Sequence, residues 1–219
     1  MIDYATARHN MVESQIRTNK VTDEAIISAF ETVPREQFVP KGLQGIAYVD
    51  EDLHLGGGRH LMEPMVLARL LQIATPGPDD VALDIGCATG YSTAILSKLV
   101  GTVVGLDDDA GLVDSGNKCL SDLQIDNTAL IAGPTEQGYA KQAPYDLIVF
   151  AGSVEVVPDA ILAQLADHGR LLAVVRSAGG EPGRATIYQR SGTQTGHRVV
   201  FDANVPALPG FRRAQEFVF

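Results

Sequence analysis

Long apolar runs are missing from this 219-residue sequence: no stretch approaches the roughly 18 consecutive apolar residues that suggest a membrane span. The amino-terminal MIDYATARHNMVESQ has no basic segment followed by an apolar core, so no secretory signal is expected. Cysteine is scarce. Cys87 and Cys119 have no close partner and no metal-ligand spacing, which points to reduced thiols and a cytoplasmic location. Positive charge is also in short supply: 17 Lys and Arg against 27 Asp and Glu leave a net charge of −10, with no Lys/Arg run. Such a surface repels a phosphate backbone on average, so neither nucleic acid nor a membrane is an expected partner. Repeats and low-complexity segments are absent too. What is present, 45% apolar and 20% charged residues, describes an ordinary globular chain long enough for one domain with a substantial core.

The first part of the chain reads as helical. TARHNMVESQI places Ala7, Met11 and Ile16 near one face, and Thr22 is positioned to cap DEAIISAFETV. Asp23 and Glu24 in the first turn complement the helix dipole, and Pro34 stops the helix. VPREQFVPKGLQGIAYVDEDLHLGGG, with two prolines and five glycines, predicts a long loop region. Pro64 opens a helix to about Ala74. Beyond the break TPGPDD the texture changes to short continuous apolar runs: VALDIG, TVVGLD, TALIAG, YDLIVFAG and GRLLAVV. Runs of this kind predict strands covered on both faces, as in the parallel sheet of an α/β fold. ATIYQR and HRVVFD, joined by SGTQTG, predict an antiparallel hairpin near the end.

VALDIGCATGYSTAILSKLVG carries the most chemistry. A strand ends in Asp84-Ile85-Gly86-Cys87-Ala88-Thr89-Gly90, and a helix beginning near Tyr91 follows. Gly86 and Gly90 let the backbone turn tightly and approach a ligand. The next strand ends in Asp107, 21 positions after Gly86, placed to accept hydrogen bonds from two ribose hydroxyls. The run G-C-A-T-G lacks the third glycine of a dinucleotide fingerprint and the Gly-Lys-Ser/Thr ending of a P-loop. An adenosine ligand without pyrophosphate is expected.

MVESQIRTNKVTDEAIISAFETVPREQFVP, AYVDEDLHLGGG, the adenosine motif and APYDLIVFAGSVEVVPDAILAQL resemble the protein-L-isoaspartate O-methyltransferase family in order and spacing. The resemblance implies a Rossmann-like class I methyltransferase: an α/β fold with a mostly parallel seven-stranded sheet, an antiparallel C-terminal hairpin and an N-terminal helical extension. Residues 1–75 would supply the helices and a substrate-side glycine loop, packed as one integrated domain on a cofactor-binding core at 76–219. The implied cofactor is S-adenosylmethionine, held by Asp84, Gly86, Cys87, Ala88, Gly90, Tyr91, Asp107, Asp108, Thr135 and Glu136. The implied activity is methylation of the free carboxylate of isoaspartyl residues in damaged protein. Two departures stand out. The family's loop continues as Gln-Thr-Ile-Ser-Gln/Ala-Pro, whereas this chain has Arg59-His60-Leu61-Met62-Glu63-Pro64, so Met62 replaces the serine. Gly133-Pro134-Thr135 replaces a Gly-Asp-Gly element, which would pass the adenine contact to Thr135 or Glu136.

Methyl transfer to a carboxylate needs no general base, because the nucleophile is ionised at neutral pH with a pKa near 4. Alignment and exclusion of water set the rate. Arg59, His60 and Met62 are the expected acceptor-site residues: Arg59 or His60 as a donor for the carboxylate, Met62 chiefly as packing, and Gly56, Gly57 and Gly58 with backbone N–H groups toward the ligands. Glu63 would repel an anion if it pointed inward, which leaves a different acceptor open, as Met62 and Pro134 leave open a cofactor-binding pseudoenzyme. Asp50 is the expected brace of the acceptor loop. His9, His54, His168 and His197 form no metal spacing, and Ser153 and Ser177 lack a nucleophile elbow.

Overall fold

The apolar runs form strands whose side chains alternate between two buried faces. A computed structural model describes residues 2–177 and 181–213. Within it, β3 (Val81–Ile85), β4 (Thr102–Asp107), β5 (Thr128–Ala132), β6 (Tyr145–Val154) and β7 (Leu165–Val175) are parallel, β8 (Arg184–Ser191) pairs antiparallel with β7, and β9 (Gln194–Asp202) pairs antiparallel with β8. The strand order is β5-β4-β3-β6-β7-β8-β9. Ala82, Val103, Leu147 and Leu172 join one apolar cluster, while their neighbours Leu83, Val104, Ile148 and Leu171 join the other. This period of two, buried on both sides, is what a parallel sheet between helical layers requires.

The N-terminal segment folds as α1 (Tyr4–Met11), a π-helical turn Val12–Ile16 and a short 3₁₀ turn, followed by α2 (Glu24–Thr32). Met11 and Ile16 are buried as the helical face predicts. The cap of α2 differs from expectation. Asp23, not Thr22, receives the Ala25 and Ile26 amides at 2.9 and 3.2 Å, because a carboxylate there also meets the positive end of the helix. Thr22 instead donates its own amide to Gln72 Oε1 at 2.6 Å, tying the start of α2 to α3 (Pro64–Ala74).

The segment predicted as loop is more ordered than that. Two 3₁₀ turns, Arg35–Phe38 and Lys41–Ile46, precede a hairpin of β1 (Leu53–Gly56) and β2 (Arg59–Leu61). The triple glycine is its turn. Gly56, Gly57 and Gly58 have φ of 103°, 57° and 75°, a sequence of left-handed conformations that side chains would resist. Leu53 pairs with Leu61 and His54 with His60, so the leucines face the core while the histidine rings meet edge to face at 4.9 Å.

Candidate active site

β3 and β6 are neighbours, yet from β3 the chain runs outward to β4 and β5 before returning to β6. The crevice at their carboxyl ends is therefore the switch point of the sheet, where α/β folds place ligands. The Gly86–Gly90 bend lies there, between β3 and α4 (Tyr91–Leu96). Gly86 and Gly90 have φ of 78° and 86°, and Ala88 is also positive at 48°. The Gly86 amide donates to Leu106 O at 2.8 Å and the Gly90 amide to Cys87 O at 2.7 Å, which fixes the turn.

Asp84 is wholly buried and accepts from Ser92 Oγ (2.6 Å) and Thr93 Oγ1 (2.7 Å), so it clamps the first turn of α4. Burial pushes its pKa up to about 6, against those two hydroxyls. Cys87 is buried, and an added Cβ on Gly105 would lie 3.0 Å from its sulfur, so the thiol faces β4. Burial pushes that thiol well above its ordinary value, which makes it unreactive. Tyr91 faces the N-terminal cap: its ring packs against Phe30 and Phe38, with the Arg35 guanidinium 4.8 Å above it. Tyr91 thus attaches the helical extension, and it also lines a small cavity with Gly86, His60 and Met62.

Asp107 ends β4 with no exposed surface. Its carboxylate accepts the Ala88 amide (2.9 Å) and the Asp109 amide (3.0 Å). It also receives Arg59 Nε, at 3.0 Å from Oδ1 and 3.1 Å from Oδ2. A second nitrogen of Arg59 bonds Asp108. Arg59 is 2% exposed. The expected donor for a substrate carboxylate therefore points the other way, spent on two carboxylates of the chain itself. Asp109 caps α5 (Ala110–Asp122) by accepting from Gly111 and Leu112.

The terminal FDANVPALPGF, which fits the same family pattern in sequence but carries no role there, crosses the same crevice. Ser153 donates its amide to Pro206 O (2.9 Å) and its hydroxyl to Val205 O (2.9 Å), while Leu208 donates to Ser153 O (2.8 Å). Residues 205–211 thereby form a strap along the end of β6, with Phe211 edge-on to Phe150 at 5.1 Å. Cβ atoms added at Gly86 and Gly152 would lie 2.6 and 2.7 Å from the Leu208 side chain. Cβ atoms added at Gly58 and Gly210 would touch Pro209 at 3.5 Å and Glu136 Oε2 at 3.6 Å, so the strap spans from the hairpin toward the end of β5. Thr135, next to Pro134, is buried with its hydroxyl unpartnered, and Glu136 is exposed.

On the acceptor side, His60 and Met62 line two small cavities with Gly86, Ala151 and Gly152. Met62 is buried, in keeping with packing. Burial and the neighbouring His54 lower the His60 pKa, so the ring is neutral at pH 7. Burial first, then Asp52 and Asp50, raises Glu63 to about 7. The loop brace is Asp52 rather than Asp50: Asp52 Oδ1 receives the Glu63 amide at 2.9 Å, and Asp50 is exposed. Arg35 completes the frame, wholly buried and donating to Ala47 O (2.8 Å) and Met62 O (2.9 Å). Glu36 accepts the Tyr48 hydroxyl. The only sequence signal for this frame is the pair of VPRE and AY-x-D elements, which here turn out to be mutual hydrogen-bond partners. His9 lies 3.0 Å from Glu31 on the outer surface, away from the crevice.

The donor set suits an adenosyl group: left-handed glycines at the bend, an acid at the end of β4 and an unpartnered buried hydroxyl at Thr135. The space above that set is another matter, because Arg59 and Leu208 stand in it.

A seven-stranded sheet of this order, a glycine bend at its switch point and an acid closing the next strand define a Rossmann-like methyltransferase fold. The family model described as protein-L-isoaspartate(D-aspartate) O-methyltransferase matches residues 6–201, and the chain belongs to that family. Protein-L-isoaspartate O-methyltransferase of Koribacter versatilis is 34% identical over 174 residues, 80% of this chain and 78% of that one. The protein of the same name from Methylorubrum extorquens is 33% identical over 179 residues, 82% of this chain and 78% of that one. A solved protein-L-isoaspartate O-methyltransferase superposes with a TM-score of 0.83 at 22% identity, covering 93% of this chain and 66% of that one. A Plasmodium falciparum structure, titled as a putative member in complex with S-adenosyl-L-homocysteine, gives 0.75 at 19% identity, covering 95% and 99%. At these identities the two structures bear on the fold.

Proposed function

We propose that this chain is an S-adenosylmethionine-dependent methyltransferase that esterifies the free carboxylate of L-isoaspartyl residues in damaged proteins. The observation that carries the reading is the coincidence of the Gly86–Gly90 bend, Asp107 and the acceptor hairpin at one switch point, in a member of this family. The cofactor supplies an electrophilic methyl on a sulfonium. The chain's own residues provide the remainder. Gly86 and Gly90 permit close approach of backbone, Asp107 accepts from ribose hydroxyls, and the Thr135 hydroxyl is the group available to the adenine. Met62 and Leu61 keep the acceptor region apolar, and so exclude water around an incoming carboxylate. His60, on β2, offers a neutral ring nitrogen as hydrogen-bond donor. No proton acceptor is required, since the nucleophile arrives ionised. Protein or peptide substrates and a cytoplasmic location belong to the same reading, the latter supported by the free thiols Cys87 and Cys119.

A second acceptor chemistry is favoured by one specific observation. Glu63 and Asp52 lie beside Met62, where the family pattern has a serine, and a Glu63 half ionised near pH 7 discriminates against an anionic acceptor. Labelled methyl incorporation decides between them. Transfer to an isoaspartyl peptide but not to its aspartyl counterpart supports repair, and a gain on Met62→Ser identifies the missing hydroxyl as the limiting contact. Turnover of neither peptide by a chain that binds the cofactor moves the acceptor elsewhere.

A further inference from the structure

The bend that should receive the cofactor is filled by the chain itself. We propose that Arg59 and Leu208 act as built-in competitors of S-adenosylmethionine. The guanidinium takes the place of the ribose hydroxyls on Asp107, the isobutyl group takes the groove between Gly86 and Gly152, and the cofactor enters only when both are displaced. This rests on the cofactor site assigned above and concerns its regulation.

The first support is the hydrogen-bond capacity of Asp107. A carboxylate offers about four lone-pair sites. The Ala88 and Asp109 amides take one site on each oxygen, and the single Arg59 Nε–H is shared between the two that remain. The Ala88 donor belongs to the bend and the Asp109 donor to the cap of α5, both backbone groups of the site's own frame. Only the Arg59 contacts are exchangeable, and a vicinal diol needs just that pair of sites. The hairpin carrying Arg59 and the strand carrying Asp107 are thus joined by the atoms a ribose would use.

The second support is steric. Gly86 and Gly152 have no side chains, and the gap between them is where Leu208 lies. The neighbouring hollows, lined by His60, Met62 and Ala151, are about 10 Å³ each, room for a single water molecule. Small-molecule sites are on the order of 300–1,000 Å³. With Leu208 in place, the hollow it lines with Gly58, His60, Met62 and Gly152 is thus far smaller than such a site.

The third is attachment. The strap is held by backbone bonds at Ser153 and by the Glu155 amide on Phe211 O at 3.0 Å, besides the Phe211–Phe150 contact. In the proposed open state, those bonds part and Leu208 leaves the groove together with its backbone. Apparent cofactor affinity falls by the fraction of molecules in which the strap is open, so a strap open one-tenth of the time weakens binding about tenfold.

Calorimetry with S-adenosylhomocysteine on the full chain tests this directly. Arg59→Gln with Leu208→Ala is expected to bind at least tenfold more tightly than the parent, with each single variant between. Equal affinity in parent and folded double variant overturns the proposal, as does failure of both to bind. Leu208→Ala alone leaves the Asp107 pair intact, and so remains informative if the double variant does not fold. Hydrogen exchange needs no variant: saturating S-adenosylhomocysteine should speed exchange of the Ser153, Glu155 and Leu208 amides, and unchanged or slower exchange sinks the idea. Failure of the repair reading looks different. There the double variant gains cofactor affinity yet transfers no methyl to an isoaspartyl peptide, whereas tight parental binding with transfer keeps the function and discards the competitors.

Discussion

Arg59 and Asp107, 48 positions apart in sequence, form an ion pair with 2% and 0% of their side chains exposed. The pair links the acceptor hairpin to the carboxyl end of β4, two parts of the molecule that share no strand pairing.

Breaking that pair should be expensive. Arg59→Met leaves a buried carboxylate without its counter-charge, and a loss of about 3–5 kcal/mol in unfolding free energy is expected from urea titration. Adding Asp107→Asn should recover a large part of the loss, because the uncompensated charge is then gone. Additive losses would mean the pair contributes no coupling.

Arg35 is expected to tolerate no substitution by lysine. Its fork reaches Ala47 O and Met62 O at once, and an ammonium group cannot span both. Arg35→Lys should lower unfolding free energy by roughly 1.5–3 kcal/mol for the charged hydrogen bond lost, and raise amide exchange in β1 and β2. Unchanged exchange there would deny Arg35 its bracing role.

The pH dependence of stability has a defined sign. Glu63 and Asp84 are raised by burial to about 7 and about 6, above their ordinary values of 4.5 and 3.8. The unfolded chain therefore loses these protons first, and the contribution of both groups to stability declines as pH rises from about 4 to about 7. Glu63→Gln should flatten the upper part of that decline in melting temperatures taken between pH 5 and pH 8. A parallel displacement of the two curves would refute the assignment.

Gly86→Ala should destabilise the chain by two routes, and one of them is reversible. The new methyl meets Leu208 Cδ2 at 2.6 Å, and the φ of 78° strains any residue with a Cβ. Leu208→Ala in the same chain relieves the clash and leaves about 1 kcal/mol of backbone strain. A double variant no more stable than Gly86→Ala alone would show that Leu208 does not occupy the groove.

Much of the architecture was legible because it is local. The five apolar runs, the Gly86–Gly90 bend, the helix opened by Pro64 and the final hairpin each announce themselves within a few residues. The hairpin at Gly56–Gly58 was not read, since strands of four and three residues carry too little alternation to outweigh the surrounding glycines and prolines. Asp23 was passed over as a cap for Thr22 because both residue types serve. The protein partners of Asp107 could not be read, and FDANVPALPGF was recognisable as a family element without its place across the crevice. Each depends on a contact between residues far apart in the chain, and an arginine in a glycine loop looks solvated until its carboxylates are seen.

The Arg35 fork has a mechanical consequence. By grasping carbonyls at positions 47 and 62 it closes residues 47–62 into a loop pinned at its base, and the β1–β2 hairpin is the far part of that loop. The same guanidinium lies 4.8 Å from the ring of Tyr91, the first residue of α4, so one buried side chain ties the base of the hairpin to the helix that follows the glycine bend.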